Sequence, residues 1–97
     1  MKFAKGFQKA YGGTKYEINK QGTGISVFVN GVDIGLTITG VHQFIEKTVN
    51  GKDYIFDNMN PKGVPKSDYI NGLGGVVRKT GEFISGQELY NSAKKIE

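Results

Sequence analysis

Gly40-Val41-His42-Gln43-Phe44-Ile45-Glu46-Lys47-Thr48-Val49, then Asn50-Gly51, then Lys52-Asp53-Tyr54-Ile55-Phe56-Asp57-Asn58 reads as two alternating strands joined by a two-residue turn. Asn-Gly between alternating segments is the strongest short-range hairpin signal a sequence carries. A two-residue loop fixes the register, so Val49 pairs with Lys52, Ile45 with Phe56 and Phe44 with Asp57. His42 and Asp57 then share one face as diagonal neighbours, with Cβ atoms roughly 7 Å apart and side chains within reach. His42 is the single histidine of the chain. A carboxylate that holds an imidazole ring in one tautomer is what a general base needs, and a satisfied structural pair would look the same. Phe44 shares the His42 face and is placed to wall a cleft. Asn58 has the opposite strand parity to Asp57; it is read as a cap for the turn that follows and as no more than a supporting candidate.

Outward from this hairpin the pattern is that of an α+β domain. Lys2 to Tyr11 carries Phe3, Phe7, Ala10 and Tyr11 at helical spacing and stops at Gly12-Gly13, which predicts an N-terminal helix. Thr14 to Ile18 reads as a short strand. Ile25, Val27 and Val29 alternate up to a second Asn-Gly turn, Asn30-Gly31, and Val32, Ile34, Leu36 and Ile38 alternate away from it, placing seven aliphatics on a core face. Antiparallel pairing of consecutive strands is the economical topology. Asn60-Pro61-Lys62-Gly63 reads as a turn, Pro65 as the start of a short helix that Gly72 ends, and Val76 to Thr80 as a weak strand. Ser85 and Glu88 form a capping box for a C-terminal helix that Lys94-Lys95 complete. The expected architecture is an N-terminal helix on one curved antiparallel sheet of four or five strands, a short helix after the Asn-Pro turn, and a C-terminal helix.

Asp57-Asn58-Met59-Asn60-Pro61-Lys62-Gly63-Val64-Pro65, followed by Asp68-Tyr69-Ile70-Asn71 and Leu73-Gly74, resembles the second papain-fold family of bacterial polymorphic toxins. In that family a Gly-x-His strand is followed by a hairpin return ending in Asp-Asn, an Asn-Pro-x-Gly turn and a short helix. The resemblance spans Gly40 to Gly74. It implies a papain-like toxin domain with a cysteine protease-like triad: a thiolate at the start of a helix attacks, a histidine shuttles its proton, and an Asp or Asn orients the histidine. His42 and Asp57 match the last two roles. The first has no counterpart, because the chain contains no cysteine. The family's cysteine opens the first helix, where the helix dipole and the histidine lower its pKa, so Lys2 to Tyr11 reads as that helix with its N-terminal end lost. A truncated fragment, a replaced cysteine and a natural pseudoenzyme all fit. Ser26 lies on a predicted strand rather than at a helix start and does not fit as a substitute nucleophile.

Composition bounds the remaining classes. A length of 97 residues suits one domain, residues 1–97, with a single core. Zero cysteines and one histidine leave no disulfide and no Cys- or His-rich metal site, so neither metal nor cofactor is expected. No apolar run approaches a membrane span, and the start lacks the apolar segment of a signal peptide. Delivery within a larger secreted protein into the cytoplasm of a target cell, or action in the producer's own cytoplasm, is what the resemblance implies. The net charge of +4 permits nucleic acid or an acidic partner but supplies no nucleic-acid motif. Gly72-Leu73-Gly74-Gly75 and Gly22-Thr23-Gly24 lack the context of phosphate loops.

The resemblance therefore implies acyl transfer (proteolysis, deamidation or transglutamination) on a protein target, with a cognate immunity protein as partner. In a chain without the nucleophile it implies no activity. Two other classes stay open: a small basic ribonuclease toxin with His42 as base and a lysine at the phosphorane, and a non-catalytic protein-binding module.

Overall fold

The computed structural model of the chain describes residues 12–96; the helix expected over Lys2 to Tyr11 lies outside them. Among the described residues the strands are β1 (Thr14–Asn19), β2 (Thr23–Val29), β3 (Val32–Thr37), β4 (Val41–Val49), β5 (Lys52–Asp57), β6 (Asn60–Pro65), β7 (Leu73–Val77), β8 (Phe83–Ser85) and β9 (Lys94–Lys95). The helices are α1 (Lys66–Gly72), between β6 and β7, and α2 (Gly86–Ser92), between β8 and β9. This corrects the expected α+β architecture of helices on one curved sheet. The described residues are mostly strand and form two antiparallel sheets, one ordered β6-β5-β4-β1-β9 and the other β3-β2-β7-β8. Consecutive strands do not all pair: β1 pairs with β4, and β2 with β7.

Both Asn-Gly hairpins form. Asn30 and Asn50 have φ of 53°, followed by Gly31 at 80° and Gly51 at 78°, the left-handed pair that a two-residue turn matched to strand twist requires. The register of the second hairpin is the expected one, with Ile45 opposite Phe56 and Val49 opposite Lys52.

Two of the chain's changes of sheet, from β1 to β2 and from β3 to β4, share one corner. After β1, a turn at Lys20 to Gly22 sends β2 into the second sheet, and the end of β3 returns to the same place. There the Lys20 N–H donates to the Gly40 carbonyl at 2.8 Å and the Gly22 N–H to the Thr39 carbonyl at 3.3 Å. Gly40 has φ of 89°, and a Cβ built on it would lie 1.8 Å from the Lys20 carbonyl oxygen. Only a residue without a side chain lets the two backbones cross here, two residues before His42.

One core serves both sheets. Ile18, Phe44, Ile55 and Val64 come from the first sheet, Ile25, Val27 and Leu73 from the second, and Tyr69 and Leu89 from α1 and α2. Both faces of β4 are covered, since Phe44 and its neighbour Ile45 are each fully buried. The expected seven-aliphatic core face is incomplete. Val32 and Ile38 are 56% and 72% exposed, because Val32 sits at the turn and Ile38 lies beyond the end of β3.

Three local expectations are also corrected. Asn60-Pro61-Lys62-Gly63 is not a turn but the start of β6. The turn lies earlier, at Asn58-Met59, and β6 is an edge strand, where Pro61 and Pro65 cost no ladder hydrogen bond. The strand expected over Val76 to Thr80 is β7, ending at Val77. Lys94-Lys95 do not end a helix: α2 stops at Ser92, and β9 pairs with Tyr16 and Glu17 on β1. Pro65 does precede α1, and the Ser85 side chain accepts from the Glu88 N–H at the start of α2, as the capping box requires.

Gly40→Ala is expected to destabilise the protein by about 2 kcal/mol or more, through both the clash and the positive φ. Urea unfolding of the variant against the parent chain measures it.

Candidate functional site

His42 is the second residue of β4, the middle strand of the first sheet, and lies opposite Ile18 on β1. Asp57 is the last residue of the neighbouring β5. Their side chains meet, with His42 Nε2 3.2 Å from Asp57 Oδ2. The structure adds a third member that the sequence reading did not place here. Tyr69, in the middle of α1, donates its hydroxyl proton to Asp57 Oδ2 at 2.6 Å, and its oxygen stands 3.1 Å from His42 Nε2. His42, Asp57 and Tyr69 are all fully buried.

The other carboxylate oxygen is held by the turn. Asp57 Oδ1 accepts from the Met59 N–H at 2.9 Å, the Asn60 N–H at 2.8 Å and the Asn60 side-chain amide at 3.0 Å. An aspartate that caps its own turn in this way fixes its side-chain direction by local backbone geometry. Asn58 is exposed on that turn and does not join the cluster. The asparagine that hydrogen-bonds Asp57 is Asn60. Phe44 lies on the His42 face as expected, its ring 6.4 Å from the imidazole at 25°. Tyr16, Tyr69 and Tyr90 surround it at 5.5, 6.2 and 6.1 Å between ring centroids.

Proton inventory sets the tautomer. The phenol has one proton and gives it to Asp57, so toward His42 its oxygen can only accept, and an ionised Asp57 can only accept. Nε2 faces these two oxygens and therefore carries the ring proton. In the neutral ring Nδ1 is then the bare nitrogen. It is buried and has no hydrogen-bond partner among the described residues.

The electrostatics agree. Burial alone would push the Asp57 carboxyl up, but hydrogen bonds from His42, Tyr69 and Asn60, with the charge of His42, hold it below the usual aspartate value. Burial, then the Asp57 charge and the hydrogen bond to it, push the Tyr69 phenol well above its ordinary range, so it stays a donor.

The face of β4 that carries His42 and Phe44 also carries Glu46. Its carboxylate accepts from the Tyr90 hydroxyl of α2 and pairs with Lys66 of α1 at 3.3 Å. The strand that holds the histidine thus also docks both helices. Ser26 lies on β2, in the other sheet. Among the described residues no cluster of His, Asp and Glu suits a metal ion, and no helix is long and apolar enough to cross a membrane.

Sequence could have suggested Asn60, three residues after Asp57, as a partner in a side-chain-capped turn. Tyr69 carried no such signal: twelve residues from Asp57 on a separate helix, it reaches the site only through tertiary packing.

The family model described as papain fold toxin 2 matches residues 11–74, a span that holds His42, Phe44, Asp57, Asn60 and Tyr69. No curated protein and no solved structure matches the chain.

Asp57→Ala would strip five donors of their acceptor in a dry site, and a loss on the order of 3 kcal/mol or more is expected in chemical unfolding. The pH dependence has a definite sign. Because the folded carboxyl is held below its ordinary value of 3.8, its contribution is fully present above that value and disappears as pH falls through the folded one. Unfolding free energy should therefore drop below about pH 4, and the drop should be shallower in Asp57→Asn.

Proposed function

This chain belongs to the papain fold toxin 2 family, and from that premise we propose that it is the acid–base part of an acyl-transfer toxin domain. In it, His42 takes and returns the proton of an attacking thiol and Asp57 orients the ring. The observation that carries this is the buried Nδ1, without a hydrogen-bond partner among the described residues, of a histidine whose other nitrogen is fully engaged.

The sequence of events follows from that arrangement. A thiol beside Nδ1 gives up its proton to that nitrogen, and the thiolate adds to the carbonyl carbon of an amide. The imidazolium returns the proton to the leaving amine as the carbon–nitrogen bond breaks, leaving a thioester. Nδ1 then takes a proton from water, whose oxygen adds to the thioester carbon in hydrolysis or deamidation, or from an amine, whose nitrogen adds in transglutamination; the carbon–sulfur bond breaks and the imidazolium proton goes back to the sulfur, restoring the thiol. Throughout, Nε2 keeps its proton against Asp57, and the Phe44 ring packs beside the imidazole. With no cysteine among its 97 residues, the chain supplies no thiol, and by itself it is inactive.

The ribonuclease alternative is less well served. Among the described residues the groups bonded to His42 are a carboxylate and a phenol, which orient an imidazole but offer a phosphorane no cation. The toxin reading implies a protein target and a cognate immunity protein. It also implies delivery within a larger secreted protein to the cytoplasm of a target cell, or action in the producer's own.

Two measurements test the proposal. The purified chain should not turn over peptide, glutamine-amide or ester substrates, or RNA; turnover of any of them that vanishes in His42→Ala would contradict it. Single cysteines placed one at a time at positions 1–11, or on a short N-terminal extension, should include one that iodoacetamide alkylates at mildly acidic pH about tenfold faster than the rest. That excess should disappear in the His42→Ala background. Uniform reactivity independent of His42 would overturn the assignment of Nδ1 as the working nitrogen.

A further inference from the structure

Asp57 can orient His42 usefully only while it is ionised. A fully buried carboxyl is driven toward its protonated form. Once protonated it could donate to Nε2, which would move the ring proton to Nδ1 and remove the base. The three hydrogen bonds on Oδ1 come from the turn at Met59 and Asn60 and do not touch the oxygen that faces the ring. On that oxygen, Oδ2, the Tyr69 hydroxyl is the donor besides His42 among the described residues, at 2.6 Å.

The geometry points to Tyr69 as a positioning residue that keeps the His42-facing oxygen of Asp57 an acceptor only, and thereby keeps Nδ1 the basic nitrogen. This inference rests on the reading of His42 as the proton shuttle and deepens it. The hydroxyl is suited to the task because it cannot reverse its role: phenol ionisation is pushed well above the ordinary range, so Tyr69 remains a donor wherever the domain is folded. Its position is set from two sides. The ring packs on Phe44 at 6.2 Å, and α1 is tied to β4 through Lys66 and Glu46 at 3.3 Å. His42, Phe44 and Glu46 alternate along one face of β4, so one strand fixes the base, the floor under the tyrosine and the anchor of its helix. The contact between Tyr69 and Asp57 is therefore a feature of the whole fold, whereas the contacts on Oδ1 belong to a local turn.

The test follows the ionisation of Asp57 in the full chain. Carboxyl-carbon NMR titration of Tyr69→Phe should place the Asp57 midpoint about one pH unit or more above that of the parent. A residue that merely filled space would leave it unchanged, since Phe keeps the ring. If Tyr69→Phe does not give a folded spectrum, 3-fluorotyrosine at position 69, a stronger donor of nearly the same shape, replaces it. At neutral pH it should displace the Asp57 carboxyl resonance while those of Asp33 and Asp53 stay in place. An Asp57 signal indifferent to the change at position 69 in a folded variant overturns the inference. The readout involves no turnover, so it can fail while the acyl-transfer reading stands, and it can succeed if that reading falls.

Discussion

The carboxylate of Asp57, dry and saturated with hydrogen bonds, is the constraint on which the rest of the site depends. Its two oxygens divide the work. Oδ1 belongs to the chain that turns from β5 into β6, and Oδ2 belongs to the histidine of β4 and the tyrosine of α1. Three parts of the polypeptide distant in space when unfolded are thus tied to one group, and each supplies protons to it. An isolated buried charge would cost far more than any of these bonds returns; it is tolerable here because every lone pair that matters has a donor. The consequence reaches the chemistry directly. With the acceptors among the described residues gathered on one side of the imidazole, the proposed proton exchange falls to the other side.

The fold serves this arrangement by covering β4 on both faces. A central strand with Phe44 and Ile45 both fully buried cannot shift register without moving large apolar groups across the sheet, so the distance between His42 and Asp57 is fixed by packing as well as by their own contact. The corner at Gly40, where the backbone of Lys20 passes too close for any side chain, fixes where β4 begins. The clamp of Glu46 on Lys66 and Tyr90 fixes how the helices lie on it. A small domain without disulfides holds three polar side chains to within hydrogen-bond distance by this means.

Sequence revealed what is local. The Asn-Gly turn set the hairpin register residue by residue, and with it the meeting of His42 and Asp57 and the place of Phe44 beside them. Ser85 and Glu88 marked the start of α2 for the same reason: capping is a matter of four consecutive residues. What depended on distant contacts was hidden. Alternating aliphatics show that a strand has a buried face, but the pattern in β2 is the same whether its partner is β1 or β7, so one sheet was inferred where two exist. Pro61 and Gly63 look like turn residues because that is their commonest use. On an unpaired edge they fit a strand equally well, and the turn had already been made by Asp57. Lys94 and Lys95 are at home at a helix end and equally at the exposed edge of a sheet. Tyr69 gives no sign of its contacts in the sequence, since its hydroxyl meets Asp57 only when α1 is laid against β4.

The role proposed for His42 requires that the nitrogen turned away from Asp57 be the bare one. Long-range nitrogen–proton correlation NMR of the unmodified, uniformly labelled chain at neutral pH reads this directly from the two ring nitrogens of its single histidine. The proton should reside on Nε2, with Nδ1 giving the signal of a bare nitrogen. A ring protonated on Nδ1 and bare at Nε2 would contradict the proton inventory of the Asp57 cluster, and with it the role proposed for His42.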